Sequence, residues 1–207
     1  HLPHFFYAMV ATMTAKTAGD IKPESVGEKV NTGALEYSPF ISADDKTLYF
    51  VGKKRVDNLG GEDIFYAERD EHGQWKRPLQ IRSINTERGN EAVEAVSVDG
   101  EDMIVFKNGK FYTTRRHGAT WGKLELMPKT VNMTSWQADA TLTSDGRAML
   151  FAARTNNGRE IGTSENIYVS LRQPDGTWGE AIELGVGVGL VVARRLVRRM
   201  TATTRLD

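Results

Sequence analysis

Four glutamates, Glu36, Glu62, Glu91 and Glu165, fall near one set of loops and are of a type that suits acid–base chemistry. A glycan-cleaving site needs two carboxylates converging on one bond, and nothing in the spacing of these four singles out a pair. Asp57, Glu62 and Asp63 offer clustered oxygens of the kind a hard cation takes, but their spacing matches no known Ca²⁺ loop. The histidines stand at positions 1, 4, 72 and 117 and fall in no Ser–His–Asp set and no metal-ligand spacing. Cysteine is absent, which excludes disulfides, thiolate metal sites and a Cys nucleophile within this chain. The stretch "VGVGLV" is not a dinucleotide fingerprint, because no strand–turn–helix unit surrounds it. No catalytic residue, metal or cofactor is expected.

Composition narrows the partners. Lys+Arg and Asp+Glu both number 27 in 207 residues, so no global charge steers the chain to nucleic acid, and no nucleic-acid partner is expected. Apolar residues make up 40%, enough for a core. No run reaches the roughly 18 apolar residues of a membrane span.

The chain repeats itself. "YSPFISADDKTLYFVG", "AVEAVSVDGEDMIVFK" and "ADATLTSDGRAMLFAA" each carry an alternating run, an Asp-containing turn and an apolar run. Asp44, Asp99 and Asp145 align as turn residues, where a carboxylate bonds its own backbone. Phe50, Phe106 and Phe151 align behind them, then Phe65, Phe111 and Tyr168, then Trp75, Trp121 and Trp178. Asn31, Asn85 and Asn132 precede the three units. A period of about 50 residues with turn signals at short intervals reads as four antiparallel strands per unit. In the first unit they are expected near 37–42, 47–53, 63–70 and 74–81. Runs such as "TLYFV" and "MIVF", apolar on both faces, imply sheets covered on both sides. This is an all-β chain, and units of this kind, stacked on their own copies, describe the blades of a β-propeller.

"YSPFISADDKTLYF", "GGEDIFYAER", "GQWKRPLQI" and "INTE" resemble the WD-repeat-like (PD-type, TolB-like) propeller repeat, over residues 28 to 185. Such repeats are common in bacterial envelope proteins, often beside OmpA-like peptidoglycan-binding domains. The resemblance implies a non-catalytic scaffold or binding module, a protein or cell-wall partner, and a periplasmic or outer-membrane-associated location. A fragment of a propeller enzyme acting on glycans or peptides is the alternative. Three blades are expected, at about 36–81, 91–127 and 137–184. Propellers close with four to eight, so the chain reads as a partial propeller.

Two flanking segments stand outside the repeat. Residues 1–27 open with an apolar stretch that fits either a signal-peptide remnant or a first strand. Residues 186–207 carry five Arg and one Asp. Their stripe of Leu190, Ala193, Leu196, Val197 and Met200 is compatible with a helix on an anionic membrane surface. A solvated tail or a shifted reading frame is the plainer reading.

Up-and-down strands sort the loops into two ends. One end collects 30–36, 54–62, 82–91, 108–109, 128–137 and 155–164, and its loops differ from unit to unit. Binding residues concentrate on variable loops held by a rigid scaffold. The candidate binding face is therefore Arg55, Asp57, Asn58, Glu62, Arg88, Glu91, Trp136, Asn156, Asn157, Arg159 and Glu160. The three repeated Trp residues are expected at the opposite end, on the outermost strands, each covering an edge of its own sheet.

Overall fold

The computed structural model describes residues 24–155 and 164–184. The expected signal-peptide remnant before residue 24, the basic tail, and the site candidates Asn156, Asn157, Arg159 and Glu160 lie outside these residues. The described chain is all-β, with no helix, in three antiparallel sheets. The first holds β1 (Leu35–Ile41), β2 (Thr47–Lys53), β3 (Glu62–Glu68) and β4 (Leu79–Gln80) in that order. The second holds β5 (Glu91–Val96), β6 (Asp102–Lys107), β7 (Lys110–His117), β8 (Thr120–Trp121) and β9 (Glu125–Leu126), with both β8 and β9 on β7. The third holds β10 (Gln137–Leu142), β11 (Ala148–Thr155), β12 (Ser164–Leu171) and β13 (Ile182–Glu183).

The tight turns explain themselves chemically. Ser42, Ser97 and Thr143 donate their hydroxyls to Asp44, Asp99 and Asp145 at 2.6, 2.5 and 2.6 Å. The backbone N–H groups of Lys46, Glu101 and Arg147 donate to the same oxygens, each at 3.1 Å. The hydroxyl is the main cause that holds all three carboxyls below their ordinary range. The next residue must take a left-handed conformation: Gly100 and Gly146 do so without steric cost, and Asp45 does so in the first turn.

Strand alternation builds the core between sheets. Leu48 and Phe50 point to one face of the first sheet, with Phe65, Ala67 and Trp75. Tyr49, Ile64 and Ile81 point to the other, where Val93, Met103, Val105 and Trp121 of the second sheet meet them. Ile104, Phe111 and Met127 leave the second sheet's far face and pack on Met149, Phe151 and Tyr168 of the third. The sheets thus stack in chain order. Each fully buried Phe on these faces contributes roughly 1.5–3 kcal/mol. The first strands approach one another, β5 lying beside both β1 and β10, and the outer strands have no such neighbour relation.

Three expectations need correction. The outer strand is not continuous over 74–81. Arg69 pairs with Trp75, and pairing resumes only at Leu79–Gln80. Pro78, which has no N–H to give, sits in the gap. The other sheets break at the same place, and Thr114 and Ser170 hold the break by donating to the carbonyls of Gly122 and Gly179. Second, Phe106 and Phe111 are each one residue off the repeat register. Val105 pairs with Tyr112, as Phe50 pairs with Phe65 and Phe151 with Tyr168. A shift of one flips the face, so Phe106 turns away and meets Trp136 edge-on. Third, two of the repeated Trp rings, Trp121 and Trp178, do not cover edges of their own sheets. Trp121 lies between two sheets, edge-on to Tyr49 at 6.2 Å, and Trp178 packs into the next interface. Trp121 and Trp178 each face the sheet before their own, Trp75 packs on the outer face of the first sheet, and an Arg cation lies over each ring.

The connectors bind the stack. The Asn85 side chain accepts from the Ile64 N–H and donates to the Ile64 carbonyl, both at 2.9 Å. Asn132 treats Phe111 identically at 2.8 Å and also donates to the Met127 carbonyl. Each asparagine therefore closes the third strand of the sheet it has just left. Ile84 and Val131, the residues before them, are buried in the adjoining interface.

Candidate functional site

The loop end opposite the Asp turns is laced together. Gly61 N–H donates to the Gly89 carbonyl, and Gln137 N–H to the Gly109 carbonyl. Lys110 reaches the Thr134 carbonyl. Loops from neighbouring sheets therefore form one continuous surface.

A repeated clasp underlies it. Glu36, Glu91 and Gln137 occupy one repeat position, equally far ahead of Asp44, Asp99 and Asp145. Each accepts from both the N–H and the hydroxyl of a connector threonine: Thr32, Thr86 and Thr134 respectively. The two carboxylates then take a cation. Lys107 lies 3.0 Å from Glu91, and Arg55 lies 2.7 Å from Glu36. Gln137 instead donates to the Gly109 carbonyl at 2.9 Å. Arg55 is held further by the Val30 carbonyl at 3.0 Å, Asp57 at 3.1 Å and the faces of Phe50 and Phe65.

The candidate residues divide accordingly. Arg55 and Glu91 turn inward, with side chains 6% and 0% exposed. Asn58 shapes its own loop, accepting from Arg55 N–H and donating to the Gly52 carbonyl. Glu62 pairs with Lys53 at 2.8 Å. Asp63, beside it, is buried and accepts from the N–H groups of Leu59 and Gly60. Asp57 keeps partial exposure and Arg88 is exposed. Trp136 is half-buried, with Arg154 stacked at 4.4 Å. An open groove of about 610 Å³ runs beside the Arg55 network, lined by Glu28, Lys29, Lys54, Val56, Asp57 and Arg77 among others. Val56 projects into solvent.

Glu94, between the first strands of the second and third sheets, is a carboxyl that sequence reasoning missed. β5 bulges between Val93 and Ala95, and a bulge re-aims the side chain it displaces. Glu94 crosses to β10 and accepts from Ala140 N–H at 2.6 Å. Burial between these strands pushes its carboxyl up to about 8, against the pull of the Ala140 N–H; the Asp139 charge adds to the rise and the Asp139 backbone opposes it. The folded state therefore favours the protonated form. Its contribution is full below about 4.5 and is lost as pH rises through about 8. Glu94 retains some exposure, so solvent screening trims the effect to about 1–2 kcal/mol. Wild-type stability in urea is expected to fall between pH 5 and pH 9 more steeply than that of Glu94→Gln, whose amide oxygen keeps the bond. Parallel profiles for the two proteins would remove this role from Glu94.

No protein-family model and no curated protein matches the chain. Among solved structures, a candidate 6-phosphogluconolactonase from Bacteroides uniformis is similar over 73% of this chain and 40% of its own, at 12% identity and a TM-score of 0.42. TolB from Acinetobacter baumannii is similar over 81% of this chain and 47% of its own, at 16% identity and a TM-score of 0.42. The chain spans less than half the length of either.

Proposed function

We propose that the three sheets are blades of a WD-repeat-like, TolB-like β-propeller that serves as a non-catalytic binding scaffold of the bacterial envelope. The blade reading is supported by sheets that stack face to face in chain order and converge at their first strands. The observation that carries the scaffold reading is the fate of the loop-end carboxylates. Glu36 and Glu91 are committed to connector threonines and to Arg55 and Lys107, Glu62 to Lys53, and Asp63 to backbone amides. A cleavage site needs carboxyls free to exchange protons with a substrate. What this end offers instead is a rigid rim with exposed Val56, Lys54, Arg77 and Arg88, suited to a protein or cell-wall-associated partner. The envelope assignment rests on the sequence resemblance.

The test is cosedimentation of the purified chain with peptidoglycan sacculi, alongside binding to solubilised envelope proteins. Saturable binding is expected, weakened about tenfold or more by combined Val56→Glu and Arg88→Glu changes. Turnover of a glycan or peptide substrate that disappears in Glu62→Ala would replace this reading with the propeller-enzyme one.

A further inference from the structure

Residues 27–31 fold as a third copy of the asparagine connector. Val30 and Asn31 N–H groups both donate to the Gly27 carbonyl. Ile84 and Asn85 do the same with the Ile81 carbonyl, and Val131 and Asn132 with that of Pro128. Val30 caps the Trp75 face of the first sheet as Ile84 caps the Trp121 face of the second. The asparagines differ. Asn85 and Asn132 are buried on the peptide they close, whereas Asn31 is exposed and its side chain meets only the Ser25 hydroxyl among the described residues. Beside it, a cleft of about 580 Å³ lies against Leu48, Phe50 and Trp75.

The third sheet has the opposite deficit. Ile167 takes a backbone bond from Leu184, as Ile64 does from Ile81 and Phe111 from Met127. Among the described residues no asparagine side chain meets Ile167. The clasping asparagine stands 21 residues after its strand in both complete cases, and the residue at that distance from Ile167 is Val188 in place of an asparagine. The face is less covered to match. Leu150, Ile167 and Leu184 are half-buried, while their counterparts Tyr49, Ile64, Ile81, Ile104, Phe111 and Met127 are all buried.

We propose that the chain docks head to tail on a second copy of itself, Asn31 of each closing Ile167 of the other. The contact continues the geometry of the two junctions inside the chain, and it rests on the blade reading given above. The described residues of two copies bring six sheets together, a number within the four to eight that close a propeller. A heterologous contact that closes in this way ends as a ring rather than a fibre.

Light scattering on the 207-residue chain is expected to give about twice the 23.0 kDa of one chain. Asn31→Leu is expected to weaken the dimer about tenfold or more, with the unfolding of the separated chain unchanged because Asn31 is exposed there. The chain has no cysteine, so Asn31→Cys with Ile167→Cys offers one disulfide partner only, and oxidation is expected to give a covalent dimer. A monomer at every concentration, an open-ended series of larger species, a dimer indifferent to Asn31→Leu, or a cross-link within one chain would each overturn the proposal. None of these outcomes bears on envelope binding, which the sacculus and envelope-protein assays read separately.

Discussion

Arg55→Met is expected to destabilise the chain by about 3–5 kcal/mol, because it leaves the Glu36 carboxylate enclosed without its cation. Both side chains are nearly fully buried, at 6% and 8% exposure. Arg55 also fills the space over Phe50 and Phe65, and Met keeps much of that contact, so the loss reports mainly on charge. The third sheet shows how to repair it. Gln137 makes the same threonine contacts with no charge at all. Glu36→Gln added to Arg55→Met is therefore expected to recover at least about 1 kcal/mol, a coupling that a double-mutant cycle in urea measures directly. If Glu36→Gln costs the same with or without Arg55, the pair is not the source of the stability.

Asn132→Leu is expected to cost about 2–4 kcal/mol, since it strands the buried Phe111 N–H and removes a partner from the Met127 carbonyl. Leucine fills the space, so the loss belongs to hydrogen bonding and not to a cavity. Amide exchange at Phe111 should accelerate well beyond that of its neighbours on β7. A cost within the ±0.5 kcal/mol of an ordinary surface change would show that the side chain is not holding the strand. Asn85→Leu, with two bonds in place of three, is expected to fall below it.

Much of the fold was legible because turns and alternation are local. Asp44, Asp99 and Asp145 announced their hairpins through residues only two positions away. Which face of a strand is covered is not local. The strand of Trp121 cannot by itself reveal that Tyr49 of another sheet approaches the ring. The second unit misled for a related reason. A phenylalanine one place late at Phe106 copies the residue type of the repeat and not its direction, which Val105 carries. Loop position alone does not tell which side chains of the candidate face turn outward. Arg55 and Glu91 are charged loop residues, and such residues are mostly exposed, yet both are spent inside the clasps. Their signal was present in the alignment of Glu36, Glu91 and Gln137. It was obscured because the threonine each one binds stands at a different distance in each connector. The three asparagines were visible as landmarks, but their role needs the strand 21 residues behind them.

That backward reach sets an order on biosynthesis. The first sheet waits for Asn85, which belongs to the segment leading into the second, and the second waits for Asn132. As the polypeptide leaves the ribosome, its newest sheet stays unlatched until the next connector emerges. For these two sheets completion therefore travels from the amino end in the direction of translation, one latch each. A stalled nascent chain ending at residue 80 would hold every strand of its first sheet and still lack the side chain that fastens it.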